Sequence, residues 1–595
     1  MNRREVLKFG LVGGTYGVLN PKGGLAQESG LVYPDGHRPS IEASPSPPVT
    51  PFKDPLRVMP VAKPIFENQL SPPPDPDRHQ RYREFRPKKF YTETYSEFVQ
   101  RYHSDGPYAG GTWNWGVQGS QQSLKQSPAV TYHANYEEPI FIRRINNLPS
   151  VGTGKLRFPL PSISIHLHNF HTASESDGIP QDYFDPGEFW DHHYAMHRAG
   201  GDENETLTTL WYHDHRLDFT APNIYAGNAG LFLCFDHRDS NNERDRGTQA
   251  WRLPSGNYDV PLIFHDLQFD KYGQLVWDFF NPNPIPHLDA SGNQLSSDSG
   301  LPMWRPNEMY TVNGMIGDRF TVNRVIQPHH KVEPRKYRFR LLNGGPARFL
   351  EFYLRDNYGN NPKFVVLSTD GNFLPEPIIS DAVNITPAQR HDVIINFSGY
   401  KPGDTISLIN HLESRIDGAG PTGRYLDPGD EWMQFQVIAS KSHEKDPSRI
   451  PDFFRPLPNI SLKEAVRERT WVFDYDNGMW TINGMLMDPN RVDAAVEIGS
   501  AEIWTLRNAG NAWSHPIHIH FEEHRIIEKN GIAIVENDLH HGRKDVLQLG
   551  PNDEVKIYMR WRDFLGKHVM HCHNVIHEDH AMMIRWDIVQ RGQGY

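Results

Sequence analysis

The sequence predicts an all-β protein built of β-sandwiches, and three observations support this fold class. First, apolar and polar residues alternate in short segments: residues 335–342 place Tyr337, Phe339 and Leu341 on one face and three basic side chains on the other, and residues 554–561 alternate in the same way. Second, 48 glycines and 48 prolines supply the turns that many short strands need. Third, no long amphipathic helix is evident. Stacked sheets are therefore the expected architecture.

The chain of 595 residues is long enough for about three or four domains. Polar stretches near residues 239–247 and 441–458 have the composition of linkers. They divide the chain into three units of sandwich size. These three predicted domains are residues 87–245, 246–445 and 446–595. Two further segments precede them: a predicted export signal at residues 1–27 and a proline-rich N-terminal arm at residues 28–86.

The N-terminal residues resemble a twin-arginine export signal. Arg3 and Arg4 precede a weakly apolar, glycine-rich stretch, and a small-residue site follows at Ala26. Such a signal exports a folded protein with its cofactor in place, so we expect a periplasmic or extracellular location. The proline-rich arm that follows is expected to be extended and to lie on a surface.

Charge and cysteine content exclude several classes of protein. The net charge is −12 and the sequence contains no basic stripe, so nucleic acid is not an expected partner. The mean hydropathy of −0.63 and the lack of a long apolar run argue against a membrane span. Cys234 and Cys572 are the two cysteines, too few for a disulfide framework.

The sequence HVMHCHNVIHEDHAMM, residues 568–583, has the composition of a copper site. In an extended strand Cys572 faces one side while His571 and His573 face the other. A thiolate, two imidazoles and a weak axial thioether form a blue-copper site, and His577 and Met582 follow at short spacing. The second imidazole must come from elsewhere, and His515 in HPIHIH is the candidate.

Eight further imidazoles form a second predicted metal cluster. Three upstream His-X-His pairs and the two histidines beside Cys572 supply them: His166, His168, His213, His215, His518, His520, His571 and His573. Eight imidazoles suffice for three copper ions, with two on one ion and three on each of a pair. Structural zinc is disfavoured, because a zinc site closes with about four ligands.

These motifs, in this order, resemble the multicopper oxidases. NIYAGNAG (223–230), SDG (176–178), ITPAQRHDVIINFS (385–398) and HEDHAMM (577–583) resemble the spore-coat laccase and bilirubin oxidase branch. The resemblance spans about residues 115–588. It implies three cupredoxin-like Greek-key β-sandwich domains, with copper ligands from the first and third.

The resemblance also implies a role for each ligand and for two acids. Type 1 copper would take His515, Cys572, His577 and Met582, with one imidazole edge near the surface. Type 2 copper would take His166 and His518. The type 3 pair would take His168, His213, His215, His520, His571 and His573. Glu578 and Asp177 would lie near the cluster and relay protons.

The implied function is oxidation of a reductant with dioxygen as the acceptor. Phenols, aminophenols or bilirubin-like pigments would give four single electrons, and four copper ions would deliver them to dioxygen to form water. Two alternatives remain open: a metal oxidase for Mn(II) or Cu(I), and a non-catalytic copper-binding envelope protein. The protein is expected to act as a monomer. A group of histidines at 171, 192, 193 and 197 is interpreted as a solvated loop rather than an additional metal site.

Overall fold

The structure is a computed structural model that describes residues 45–277, 314–415, 417–440, 445–476, 479–535 and 542–595. The predicted export signal and the first part of the predicted arm lie outside the described residues. Within the described residues, strands dominate, as the sequence predicts, and they form six sheets. No helix in this part of the chain has the length and apolar character that crossing a membrane requires.

The first two sheets pack into a sandwich between residues 89 and 235. One sheet has the strand order β2-β1-β4-β6 and the other β3-β8-β7-β5. Its strands are β1 Lys89–Gln100, β2 Thr112–Gly119, β3 Tyr132–Asn135, β4 Ile140–Asn146, β5 Ile165–His168, β6 Phe189–Tyr194, β7 Thr209–Asp214 and β8 Ala229–Phe235. Buried apolar side chains from both sheets form one core.

The second sandwich lies between residues 259 and 437. Its sheets have the orders β11-β10-β9-β13-β18-β15-β16 and β12-β20-β19-β14-β17, and they share one core. The strands are β9 Asp259–Leu267, β10 Arg319–Val322, β11 Val325–Ile326, β12 His329–Val332, β13 Lys336–Asn343, β14 Leu350–Asp356, β15 Phe364–Thr369, β16 Asn372–Ser380, β17 Ala382–Ile385, β18 Arg390–Asn396, β19 Thr405–Ser414 and β20 Pro421–Val437.

The third sandwich lies between residues 465 and 589. Its sheets have the orders β22-β21-β24-β30-β26-β27, with β28 beside β26, and β23-β32-β31-β25-β29. The strands are β21 Ala465–Asp476, β22 Met479–Ile482, β23 Ala494–Glu497, β24 Ala501–Asn508, β25 His515–Ile519, β26 His524–Lys529, β27 Ile532–Ala533, β28 Arg543–Lys544, β29 Val546–Leu549, β30 Glu554–Arg560, β31 Gly566–Cys572 and β32 Met583–Val589.

Helices are short and lie in the connections. The α-helices of the described residues are α1 Ser174–Asp177, α2 Thr220–Ala226 and α3 Val575–Asp579. The single turns of 3₁₀ helix are Glu67–Gln69, Pro76–Arg78, Gly106–Gly110, Ala199–Gly201, Glu203–Glu205, Gly256–Tyr258 and Leu462–Glu464.

All three sandwiches share one strand arrangement, which determines where the histidine motifs lie. Parallel neighbours recur at matching positions: β1 with β4, β9 with β13 and β21 with β24. The antiparallel pair β5–β7 of the first sandwich therefore corresponds to β25–β31 of the third. All four histidine motifs begin within these strands, and their last histidines follow or close them. The corresponding strands of the second sandwich, β14 and β19, carry no such motif.

The described part of the arm, residues 45–86, connects the three sandwiches. β-Bridges join Pro55 to the second sandwich and Val61 and Ile65 to the first. Near its end, Arg81 Nη1 lies 3.2 Å from Asp563 Oδ1 of the third sandwich. The arm is extended, but it also buries apolar side chains: Leu56, Met59, Ala62, Leu70 and Tyr82.

Two of the three basic side chains on the polar face of β13, Arg338 and Arg340, are buried. Arg338 donates to Asp239 at 2.7 Å and also to Asp392, and Arg340 donates to both carboxylate oxygens of Asp259 at 2.7 Å. Arg340 also donates to Thr209 of the first sandwich. The alternation of side chains is correct, but both faces of β13 are covered because the first sandwich packs against the second.

This buried network leads to a stability prediction. Arg338→Met is expected to lower the free energy of unfolding by about 3–5 kcal/mol, because buried carboxylates lose their counter-charge. Arg355, exposed on β14, is the control, and Arg355→Met should change stability by less than about 0.5 kcal/mol. Urea unfolding of both variants measures the difference, and equal stabilities would contradict the prediction.

Candidate metal centre

Cys572 lies between two imidazoles at the end of β31. Its Sγ atom is 3.5 Å from His515 Nδ1 and 3.6 Å from His577 Nδ1, and the two Nδ1 atoms are 3.1 Å apart. His515 begins β25, which pairs with β31, and His577 lies in α3. Asn574 caps α3 by accepting a hydrogen bond from the Ile576 amide, so the helix brings His577 back towards Cys572.

The environment of this site fits a bound copper ion. Burial raises the pKa of the Cys572 thiol well above its ordinary value and lowers the pKa of His515 to about 3. A buried thiolate therefore needs a nearby cation, and neutral imidazoles and a thiolate are ligands that suit copper. Met582 packs into the same apolar cluster as Cys572, whereas Met583 packs into a different cluster.

Both imidazoles of this site are buried, and the predicted position of one imidazole edge near the surface stays a prediction. The exposed fractions of His515 and His577 are 1% and 0%. The Trp480 ring stacks on His577 with centroids 3.8 Å apart. A loop of the second sandwich closes another side, because its Gly418 carbonyl accepts a hydrogen bond from the Asn574 side chain. One covering contact comes from the same sandwich and the other from a loop of the second sandwich, and local sequence reveals neither.

The other eight histidines form three groups between the first and third sandwiches. The His166 and His518 Nε2 atoms are 3.4 Å apart. His520 Nε2 lies 3.2 Å from His215 Nε2 and 3.4 Å from His571 Nε2. The third group has ligand atoms within 4.8 Å of one another and consists of His168, His213 and His573. His520 also has a ligand atom within 4.8 Å of those of His166 and His518, and assigning it to His215 and His571 gives groups of two, three and three.

The imidazole nitrogens of these groups are available to metal ions. In the third group the Nε2 atoms are buried and have no hydrogen-bond partner among the described residues. Burial, together with the neighbouring imidazoles, lowers the pKa of several of these histidines well below the ordinary value: His166, His168, His518, His520 and His573. Neutral imidazoles with unpaired nitrogens are the donor set that copper requires.

Asp177, predicted from the SDG motif, contacts two of these histidines. Its Oδ2 lies 2.7 Å from His520 Nδ1, and its main-chain oxygen lies 2.5 Å from His166 Nδ1. These contacts leave the two Nε2 atoms directed at the metal groups. Gly178 has φ +80°, and a Cβ there would lie 2.2 Å from the Ile165 carbonyl oxygen, so only glycine allows α1 to lie this close to β5.

Glu578 lies behind two histidines of one group. Its carboxylate oxygens are 3.0 Å from His215 Nδ1 and 2.9 Å from His571 Nδ1. Burial opposes the charged form, but the two imidazoles outweigh it and hold the pKa of Glu578 well below its ordinary value. The carboxylate is therefore charged and can orient both rings.

Asp545 and Arg390 belong to the site and were not predicted. Asp545 Oδ2 lies 2.7 Å from His168 Nδ1, and its carbonyl accepts from His518 Nδ1 at 2.9 Å. Arg390, from β18 of the second sandwich, donates to both Asp545 oxygens at 3.0 Å. Arg390 lies in ITPAQR, a segment that resembles the spore-coat laccase and bilirubin oxidase branch, and this resemblance could have identified it as a site residue. Asp545 stands in no motif.

The histidines interpreted as a solvated loop are mostly buried. His192 and His193 lie in β6, where their Nε2 atoms face the carbonyls of Ile165 at 3.1 Å and Phe85 at 2.7 Å. His171 Nε2 lies 2.9 Å from Asp563 Oδ2. The loop interpretation is wrong, because the arm and the third sandwich cover this region, and these rings serve as hydrogen-bonding core residues.

Known proteins resemble this chain in sequence and fold. A family described as multicopper oxidase matches residues 459–591. A bilirubin oxidase of Albifimbria verrucaria is 32% identical over 467 residues, covering 77% of this chain and 70% of that protein. A laccase of Bacillus stratosphericus is 29% identical over 580 residues, covering 91% of this chain and 99% of that protein. A solved multi-copper oxidase from Pediococcus acidilactici superposes with a TM-score of 0.67 at 21% identity and covers 92% of this chain and 95% of that chain. This similarity confirms the predicted fold.

Proposed function

This chain belongs to the multicopper oxidases, and we propose that it oxidises phenols, aminophenols or bilirubin-like pigments by single electrons. It is a copper oxidoreductase that uses dioxygen as the acceptor and four copper ions as its cofactor. The substrate class is supported by the names of its relatives, a bilirubin oxidase and laccases.

The observation that carries this function is the grouping of buried ligands. The proposed type 1 ligands are His515, Cys572, His577 and Met582, and the other eight histidines are the proposed ligands of the type 2 ion and the type 3 pair. Bound copper ions would accept single electrons and deliver four of them to dioxygen. The adjacent residues His571, Cys572 and His573 link the two sites covalently, so the chain itself provides a short electron path.

We also extend the proposal to location and assembly. Arg3 and Arg4 support export by a twin-arginine route to the periplasm or the exterior. All twelve proposed ligands come from one chain, which supports a monomer of 68.4 kDa. Replacing both arginines by lysine should retain the protein in the cytoplasm. Light scattering measures the mass of the protein in solution and so tests whether it is a monomer.

Oxygen uptake by the copper-loaded protein tests the function. We expect uptake with a methoxyphenol and with bilirubin, and none after a chelator removes the copper. Mn(II) and Cu(I) are tested in parallel. Uptake with the metal ions alone would contradict the proposed substrate class and indicate a metal oxidase. Full copper loading without uptake from any donor would indicate a copper-binding protein.

A further inference from the structure

Three aromatic side chains lie between the proposed type 1 site and the surface. Trp480 stacks on His577 with ring centroids 3.8 Å apart and planes inclined by 24°. Tyr475 lies 4.5 Å from Trp480, and Trp513 lies 5.1 Å from both. Trp480 is buried, whereas Tyr475 and Trp513 are half-buried. We call these three residues the aromatic triad.

The fold holds the triad in place. Tyr475 in β21 is the direct cross-strand partner of Trp480 in β22, so the two rings face each other across the hairpin. The Trp513 carbonyl accepts a hydrogen bond from Asn508 at 2.7 Å, just before the chain enters β25 at His515. The three ring contacts lie at separations typical of favourable aromatic pairs.

Both proposed type 1 imidazoles are buried, so a reductant at the surface meets other side chains first. Electron transfer slows steeply with distance, so the first group that a donor can reach determines the rate. The continuous ring contacts run from half-buried Tyr475 and Trp513 through Trp480 to His577. Tryptophan and tyrosine are also the side chains whose π electrons couple most readily to a donor.

We infer that the aromatic triad is the electron inlet of this enzyme, with Trp480 as the positioning group that couples an outer donor to His577. The inference rests on the proposed type 1 ligands and deepens the proposed function. It assigns the donor-facing surface to the Tyr475 and Trp513 edges rather than to an exposed histidine.

A donor at the triad loses one electron; if the donor is a phenol, its proton goes to solvent water. The electron crosses the rings and His577, and a Cu(II) ion held by the proposed type 1 ligands would accept it as the one-electron oxidant. The three rings end in their original redox and protonation states. Four such events supply the electrons that dioxygen needs.

Anaerobic stopped-flow mixing with hexacyanoferrate(II) tests the inference, because the loss of the blue absorption reports type 1 reduction without turnover. Trp480→Leu should slow this reduction by about tenfold or more, equivalent to roughly 1.4 kcal/mol of activation free energy. Trp480→Phe, which keeps an aromatic ring, should slow the reduction less than Trp480→Leu does. Tyr475→Leu and Trp513→Leu should each slow reduction, and the pair together should slow it further.

Two additional readouts separate an electron path from simple packing. The absorption spectrum and reduction potential of the type 1 copper should stay unchanged in Trp480→Phe. Copper loading of the apoprotein should quench tryptophan fluorescence less in Trp480→Phe than in the natural protein, since the ring nearest the ion is gone. Trp190→Leu, at a half-buried tryptophan of the first sandwich, is the matched control and should leave the rate unchanged.

The outcomes are distinguishable. Unchanged or faster reduction in both Trp480 variants would overturn the inference and show that the triad only shields His577. Because hexacyanoferrate(II) is not a phenol, failure of the natural protein to oxidise phenols would overturn the proposed substrate class and leave the inlet standing.

Discussion

Cys572→Ser is expected to abolish the blue absorption and to lower oxygen uptake by at least about a thousandfold with every donor. The Sγ atom lies 3.5 Å and 3.6 Å from the two proposed type 1 imidazoles and is fully buried. A serine hydroxyl at this position remains protonated and cannot supply the thiolate that copper prefers. It also removes the sulfur that connects the proposed type 1 site, through the Cys572 side chain, to the main chain of His571 and His573.

A matched variant separates ligand loss from general damage. Cys234, in β8, is also a buried free cysteine, and burial alone raises the pKa of its thiol far above the ordinary value. Cys234→Ser buries a hydroxyl in an apolar core and should cost about 1–3 kcal/mol of stability. It should nevertheless keep the blue absorption. Absorption spectra, copper content and oxygen uptake of both variants are the measurements, and a blue Cys572→Ser protein would contradict the proposed ligand set.

The proposed ligands could be found in the sequence because their geometry is local. In a strand, residues two apart face the same side, so each His-X-His pair reads directly as two ligands of one cluster. The same rule places Cys572 opposite His571 and His573. The structure places the residues of each predicted group together, and it does so through the equivalent strand pairs β5–β7 and β25–β31.

Features that depend on contacts between sandwiches could not be predicted in the same way. Alternation correctly separates the two faces of β13, but it does not show that the face bearing Arg338 packs against another domain. The burial of His577 depends on Trp480 and on a loop of the second sandwich. The role of Asp545 depends on Arg390, which is distant in sequence. Such contacts follow from the packing of whole sheets, which no local pattern encodes.

Glu578→Gln is expected to slow oxygen reduction by about 10- to 100-fold while the blue absorption stays intact. The carboxylate forms ion pairs with His215 and His571, which belong to a single histidine group, and no such pair joins it to the proposed type 1 ligands His515 and Cys572 in the described structure. Glutamine has nearly the same shape, but it removes the negative charge and can accept a hydrogen bond from at most one ring through its single oxygen. One of the two imidazoles therefore loses its orienting partner.

The neighbouring acid provides the control. Asp579 is also buried in α3, but its two oxygens accept hydrogen bonds from the Thr220 and Ala221 amides at 2.9 Å, so it anchors α2 rather than a ligand. Asp579→Asn should reduce thermal stability while oxygen reduction changes only a few-fold. Reoxidation of the fully reduced protein by dioxygen, followed by stopped flow, measures the step directly. Equal reoxidation rates in Glu578→Gln and the natural protein would exclude a role for Glu578 in oxygen reduction. If reoxidation slowed only in Asp579→Asn, that role would belong to Asp579, the residue that anchors α2.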